Sequence, residues 1–136
     1  MASGKCKLGG RLRPCKQRAE HTCQYCARDF CHDHSYYVEG YEAVCTRKPC
    51  VTKHDDLQRH LGYKAEVLRR NKAGLCAEQD CEATNPAFQC SFCRGHFCPE
   101  HIQERNYAMQ EGWVKVDKQV SLCAWCWGRR KVWQKR

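Results

Sequence analysis

Two stretches of the chain carry the same arrangement of metal-binding side chains. Residues 23–34 read Cys23-Gln-Tyr-Cys26-Ala-Arg-Asp-Phe30-Cys31-His-Asp-His34, and residues 90–101 read Cys90-Ser-Phe-Cys93-Arg-Gly-His-Phe97-Cys98-Pro-Glu-His101. Both have the form C-x2-C-x3-F-C-x2-H, every matched position being offset by 67. Two more cysteines precede each stretch, Cys6 and Cys15 in the first half and Cys76 and Cys81 in the second. Two follow it, Cys45 and Cys50, then Cys123 and Cys126. Each half thus offers seven thiols and one register-matched imidazole. Eight donors close two tetrahedra, so the chain is expected to hold four Zn2+ ions with no cysteine left over.

Thiolate and imidazole at these spacings suit a d10 ion that takes four ligands, and a filled tetrahedron has no position for substrate. Such an ion is structural, its binding free energy becoming folding free energy. A disulfide framework has no use for a histidine recurring three residues after a cysteine. His34 and His101 coincide in the repeat and are the expected ligands. His32 and His96 face Asp or Pro in the other copy, while His21, His54 and His60 have no counterpart, so these five read as surface or capping residues.

Composition explains why metal is needed. Leu, Ile, Val and Phe together supply only 20 of 136 residues, and cysteine supplies 14. So thin an apolar inventory seldom offsets chain entropy without cross-links or a metal. The expectation is a small metal-stabilised α+β fold, two tandem two-zinc modules of short strands and short helices joined by a helix. The first module, with its basic N-terminal segment, covers residues 1–52. A helical connector covers 53–75, the second module 76–127, and a basic tryptophan-containing tail 128–136.

Two pairings of the ligands are open. A sequential scheme groups Cys6, Cys15, Cys23 and Cys26, then Cys31, His34, Cys45 and Cys50. A cross-braced scheme groups Cys6, Cys15, Cys31 and His34, then Cys23, Cys26, Cys45 and Cys50. Its second copy takes Cys76, Cys81, Cys98 and His101, then Cys90, Cys93, Cys123 and Cys126. The cross-braced scheme is preferred, because only four residues separate Cys26 from Cys31 and interleaving ties each module together.

The core C-x2-C-x3-F-C-x2-H resembles that of AN1-type zinc fingers and, more loosely, that of B-box domains. The likeness covers roughly residues 6–50 and 76–126. It implies cross-braced two-zinc folds and protein–protein contacts of the kind linked to the ubiquitin system or to stress responses.

Among the elements that must position these ligands, Phe30, Phe97, Tyr25 and Phe92 occupy matched places and are expected to form the two small cores. The alternation from Gly112 to Val116 predicts a strand leading through Val120 and Leu122 to Cys123. Tyr36 to Val44 is a hairpin candidate. Residues 53–73 lack cysteine, and Leu57, Leu61, Ala65 and Leu68 recur at helical spacing. With acids first and bases last, this segment reads as one helix stopping near Gly74, its apolar stripe packed on one or both modules.

The formal charge of +9 is uneven. Residues 1–22 carry +5 and 112–136 carry +6, whereas 76–111 carry −4. Fourteen thiolates with four divalent ions would bring the whole to about +3, so local charge matters more than the total. The C-terminal run places Trp127 and Trp133 among Arg129, Arg130 and Lys131, a mixture suited to phosphates and base stacking. Arg11, Arg13 and Lys16 punctuate the other end. These residues are the candidate contacts for RNA or a ribonucleoprotein, with a protein-adaptor role as the alternative. No small-molecule substrate and no membrane are expected as partners.

Catalysis is not expected. The chain has no His-Glu-x-x-His, no zinc-deaminase signature and no phosphate-binding glycine loop. Met1 to Leu8 lacks the apolar stretch of a secretory signal, so a reducing intracellular compartment, cytoplasm or nucleus, is the expected location.

Overall fold

The computed structural model describes residues 4–10 and 12–133. The described residues form a small α+β fold of four two-stranded antiparallel sheets and two α-helices. It divides into two compact units, Met1–Gln58 and Arg59–Arg136.

The first unit opens with an irregular antiparallel ribbon bridged at Lys5–Arg18 and Gly9–Pro14. A short hairpin follows, of β1 (His21–Thr22) and β2 (Asp29–Phe30), whose loop carries Cys23 and Cys26. In that loop Ala27 takes a positive φ of 61° and returns its N–H to the Cys23 carbonyl, 2.9 Å away. A single 3-10 turn, His32–His34, leads into β3 (Ser35–Glu39) and β4 (Glu42–Cys45). Gly40, at φ 57°, makes the two-residue turn between them, a conformation glycine reaches at little cost. The long helix α1 (Lys48–Lys72) then begins.

The second unit repeats this order. A bridge at Leu75–Thr84 replaces the Lys5–Arg18 pair. Then come β5 (Phe88–Gln89) and β6 (His96–Phe97) around Cys90 and Cys93, with Arg94 at φ 63° where the first unit has Ala27. The hairpin β7 (Ile102–Glu111) and β8 (Val114–Cys123) is twice as long as its counterpart, and it ends in helix α2 (Ala124–Trp133).

Thiols dominate both interiors. Five of the eight residues in the buried cluster of the first unit are cysteine, and six of the eleven in the second. Phe30 and Phe97, each fully buried, fill the remaining space as expected. Tyr25 packs at the edge of the first cluster. Phe92 does not join the second; it is exposed and sets its ring edge-on to Tyr107, 4.9 Å between centroids.

Four expectations about elements change. The helix begins at Lys48 rather than near 53 and so carries Cys50, because Pro49 is well placed in a first helical turn. Its buried face is not the leucine stripe: Leu61 and Leu68 are more than half exposed, whereas His54 and Val67 are buried. His54 stacks on Tyr37 at 4.4 Å, and Val67 sits against Gly95, where a larger residue would collide. Residues 102–111 form a full strand partner for β8, which starts at Val114 because Gly112 is used in the turn. The basic tail expected over 128–136 continues, as far as Trp133, the helix that holds Cys126. No helix among the described residues is long and apolar enough to cross a membrane.

Candidate metal centres

The fold gathers all sixteen predicted ligands into four quartets. These are Cys6, Cys15, Cys31 and His34; Cys23, Cys26, Cys45 and Cys50; Cys76, Cys81, Cys98 and His101; and Cys90, Cys93, Cys123 and Cys126. Within each, the donor atoms lie within 4.8 Å of one another. This is the cross-braced arrangement in both units; the sequential grouping does not occur. None of the other five histidines joins a quartet.

Each quartet is assembled by the same means in both units. The N-terminal ribbon supplies two thiols, and the residues around the 3-10 turn or its equivalent supply the Cys–His pair. The β1–β2 or β5–β6 loop supplies the second pair of thiols. The last two donors come from the end of a strand and the third residue of a helix: Cys45 closes β4 and Cys50 is third in α1, while Cys123 closes β8 and Cys126 is third in α2. The closing spacings differ in sequence only because Thr46 and Arg47 intervene before α1.

The dimensions suit a tetrahedral ion. Four sulfurs about 2.3 Å from a common centre stand about 3.8 Å apart, and a nitrogen at about 2.0 Å stands about 3.5 Å from each of them. The Sγ–Sγ separations are 3.7 Å for Cys15–Cys31, 3.8 Å for Cys26–Cys45, and 3.9 Å for both Cys81–Cys98 and Cys93–Cys123. His34 Nδ1 lies 3.5 Å from Cys6 Sγ and 3.2 Å from Cys31 Sγ; His101 Nδ1 lies 3.8 Å from Cys76 Sγ and 3.2 Å from Cys98 Sγ. A disulfide needs about 2.05 Å, and all fourteen cysteines are free.

Electrostatics point the same way. Burial pushes the Cys23 thiol up, but the backbone around Cys45, Cys26 and Tyr25 outweighs it and holds the group down to about 7. In the same quartet burial pushes Cys45 up to about 11 and Cys50 further still. In the second unit Cys123 is held down to about 7 by its neighbour Cys126, and Cys126 is driven far up by Cys123, Cys90 and Cys93. Thiolates this close repel one another, so a quartet ionises fully only around a cation. Backbone N–H groups add support: Leu8 donates to Cys6 Sγ at 3.4 Å, Gly95 to Cys93 Sγ at 3.4 Å and Cys98 to Cys76 Sγ at 3.2 Å.

Several supporting residues were not foreseen from the sequence. Tyr63 on α1 brings its hydroxyl 3.2 Å from Cys123 Sγ and stacks on Trp125, whose Nε1–H donates to His60 Nδ1 at 3.1 Å. Arg70 donates to the carbonyls of Cys76, at 2.9 Å, and of Cys81. Asn71 donates to the Leu75 and His96 carbonyls at 3.0 Å and accepts from the His96 N–H at 2.9 Å. The Cys26 thiol beside Arg47 keeps its guanidinium even more firmly charged. Helical periodicity places such residues on a helix but not on the face that meets a thiolate.

The candidate RNA contacts are less uniform. Arg13, Lys16 and Lys131 are exposed; Arg11 lies outside the described residues. Trp127 is not an open stacking face, since the Arg130 guanidinium stands 3.7 Å from its ring centroid and that of Arg105 4.9 Å. Arg130 also donates to the Trp127 carbonyl at 2.8 Å, a pairing that the three-residue spacing within α2 favours. Arg129 is partly buried, and Trp133 is 38% exposed. No protein-family model, curated protein or solved structure matches the chain, so no family is assigned.

Proposed function

We propose that this chain is a zinc-stapled, non-catalytic interaction protein that contacts RNA or a ribonucleoprotein through its basic segments. The observation that carries the first part is the closure of the quartets. Each offers four soft or borderline donors at tetrahedral spacing, and every one of the fourteen cysteines is spent. Zinc is the metal that such S4 and S3N sets favour, and a protein-filled tetrahedron leaves no position for an activated water.

The RNA part rests on charge that the metal sites do not cancel. Residues 1–22 remain strongly basic, and their described cations are exposed. A second reading, a protein adaptor of the AN1-like or B-box-like kind, is favoured by Tyr41 and Trp113. Both are fully exposed aromatics, each following the glycine of a hairpin turn.

Two measurements test this. Metal analysis of the purified full-length chain is expected to give four zinc per molecule, and a metal-free yet compact protein would end the proposal. Capture from cell extract before and after nuclease separates the two roles: nuclease-sensitive recovery supports RNA, and a partner retained after nuclease supports the adaptor.

A further inference from the structure

The two units open on an antiparallel ribbon with a matched bridge at its base, the first ribbon longer by four residues between its two cysteines, and they charge it differently. In the first, the bridges at Lys5–Arg18 and Gly9–Pro14 share one register, so Lys7 stands opposite Lys16. The hydrogen bonds from Cys6 N to Gln17 O, 2.9 Å, and from Cys15 N to Leu8 O, 3.3 Å, hold that register. Cys6 and Leu8 turn inward and are buried, and the alternate residues Lys5, Lys7, Lys16 and Arg18 are exposed. Four cations therefore stand as two directly opposed pairs, an arrangement that costs stability in a ribbon. None forms an ion pair among the described residues; the nearby Asp33 and Asp29 carboxylates accept from Gln17 and Thr22 instead, and Glu20 is exposed one residue beyond Ala19.

The fold does not require this clustering. The second unit makes the equivalent bridge with Leu75 and Thr84, and its ligand loop carries Glu78, Asp80 and Glu82. A repulsive ladder that the matched bridge of the second unit does without points to a ligand that neutralises it.

We propose that Lys5, Lys7, Lys16 and Arg18 form a track for the phosphate backbone of single-stranded RNA. The inference rests on the RNA reading above and assigns its site to this ribbon rather than to α2. Side chains two apart on a strand are separated by roughly 6.6 Å and opposed ones by about 5 Å. A patch of that size meets consecutive phosphates of one strand and carries no base-reading geometry, so binding is insensitive to sequence.

The test uses the zinc-loaded full chain and a labelled oligouridine, followed by fluorescence anisotropy. For four phosphates neutralised on a single strand, the slope of about −0.7 per phosphate predicts about a 50-fold loss of affinity from 50 to 200 mM salt. The quadruple variant Lys5→Gln, Lys7→Gln, Lys16→Gln, Arg18→Gln is expected to lose most of that salt dependence while retaining four zinc ions. The pair Arg129→Gln, Lys131→Gln is expected to leave it nearly unchanged. Should the quadruple variant bind as the parent does and the α2 pair fail, the ribbon assignment falls and the RNA reading stands. Should the parent bind no RNA at any salt, both fall. Tighter binding of duplex RNA, or equal competition by polyglutamate, would overturn the assignment to a single strand's phosphates.

Discussion

The two units share a backbone plan down to single hydrogen bonds, yet they support it with different side chains. Gln24 N donates to the Ala43 carbonyl at 2.9 Å in the first, and Ser91 N to that of Ser121 at 2.8 Å in the second, each acceptor lying two residues before the cysteine that closes the strand. Around this shared frame the neighbours change. Arg47 stands beside Cys26 in the first all-cysteine quartet, whereas Tyr63 meets Cys123 in the second. Gly95 admits Val67 of α1, but the equivalent residue in the first unit is Arg28, which is exposed. The placement of the ligand quartets is thus shared, while ribbon length, hairpin length, helix packing and surface charge diverge.

The largest effect that can test this division is removal of a ligand. Structural zinc contributes on the order of 10 kcal/mol or more to such small folds. Cys23→Ser is expected to release one zinc and unfold the first unit, and Cys90→Ser to do the same in the second. Metal content and amide exchange mapped by unit read the outcome. Loss of order in both units after either change would show that they are not separately stapled.

Next in size are the two phenylalanines. Phe30 and Phe97 are the largest wholly buried side chains. Truncation of a buried phenylalanine costs about 3–5 kcal/mol. Phe30→Ala and Phe97→Ala are expected to cost similar amounts, read as shifts in denaturation midpoint with zinc bound. A markedly smaller cost in one unit would mean that its core is held by metal alone.

Smaller again is Gly95. A methyl group there would collide with Val67 Cγ1 and stand 3.2 Å from Phe97 Cε2 and 3.4 Å from Cys93 Sγ. Overpacking of this kind costs about 1–3 kcal/mol. Gly95→Ala is therefore expected to destabilise the second unit, and Arg28→Ala, at the matched but exposed position, to stay within about 0.5 kcal/mol of neutral. Equal effects at the two sites would remove helix packing as the point of difference.

The same contrast explains what could be read from the chain beforehand. Ligand identity, the repeat and the cross-bracing were legible because thiols and imidazoles at short, repeated spacing admit few geometries. Phe30 and Phe97 were legible from the repeat, but Phe92, which also stands at a matched place beside a ligand, is exposed. The buried face of α1 was not legible. Its leucines form a helical stripe, but the contact is made on another face of the helix, by His54, Tyr63 and Val67. Nor was β7 evident: Ile102–Glu111 is mostly polar and is a strand because β8 pairs with it. The basic tail expected over 128–136 is helical as far as Trp133, in a helix whose third residue is the ligand Cys126.

The finest distinction lies in the shells around the two all-cysteine quartets. Four thiolates on one divalent ion would leave a charge of −2, and the two units place different groups beside it. Arg47 brings a full positive charge to Cys26. Tyr63 brings a neutral donor, and burial followed by the neighbouring Cys123 pushes its phenol well above the ordinary tyrosine range, so the proton stays available to the sulfur. Changes to such outer groups typically lower metal affinity about 10- to 100-fold. Tyr63→Phe keeps the ring stacked on Trp125 and removes only the hydroxyl, so it is expected to fall at the low end of that range. Arg47→Gln keeps a donor but loses the charge, so its larger effect should shrink as salt is raised, whereas that of Tyr63→Phe should not. Zinc transfer to a chromogenic chelator at two salt concentrations separates them. If both variants release zinc at the parent rate, the outer groups are incidental and the two quartets are equivalent after all.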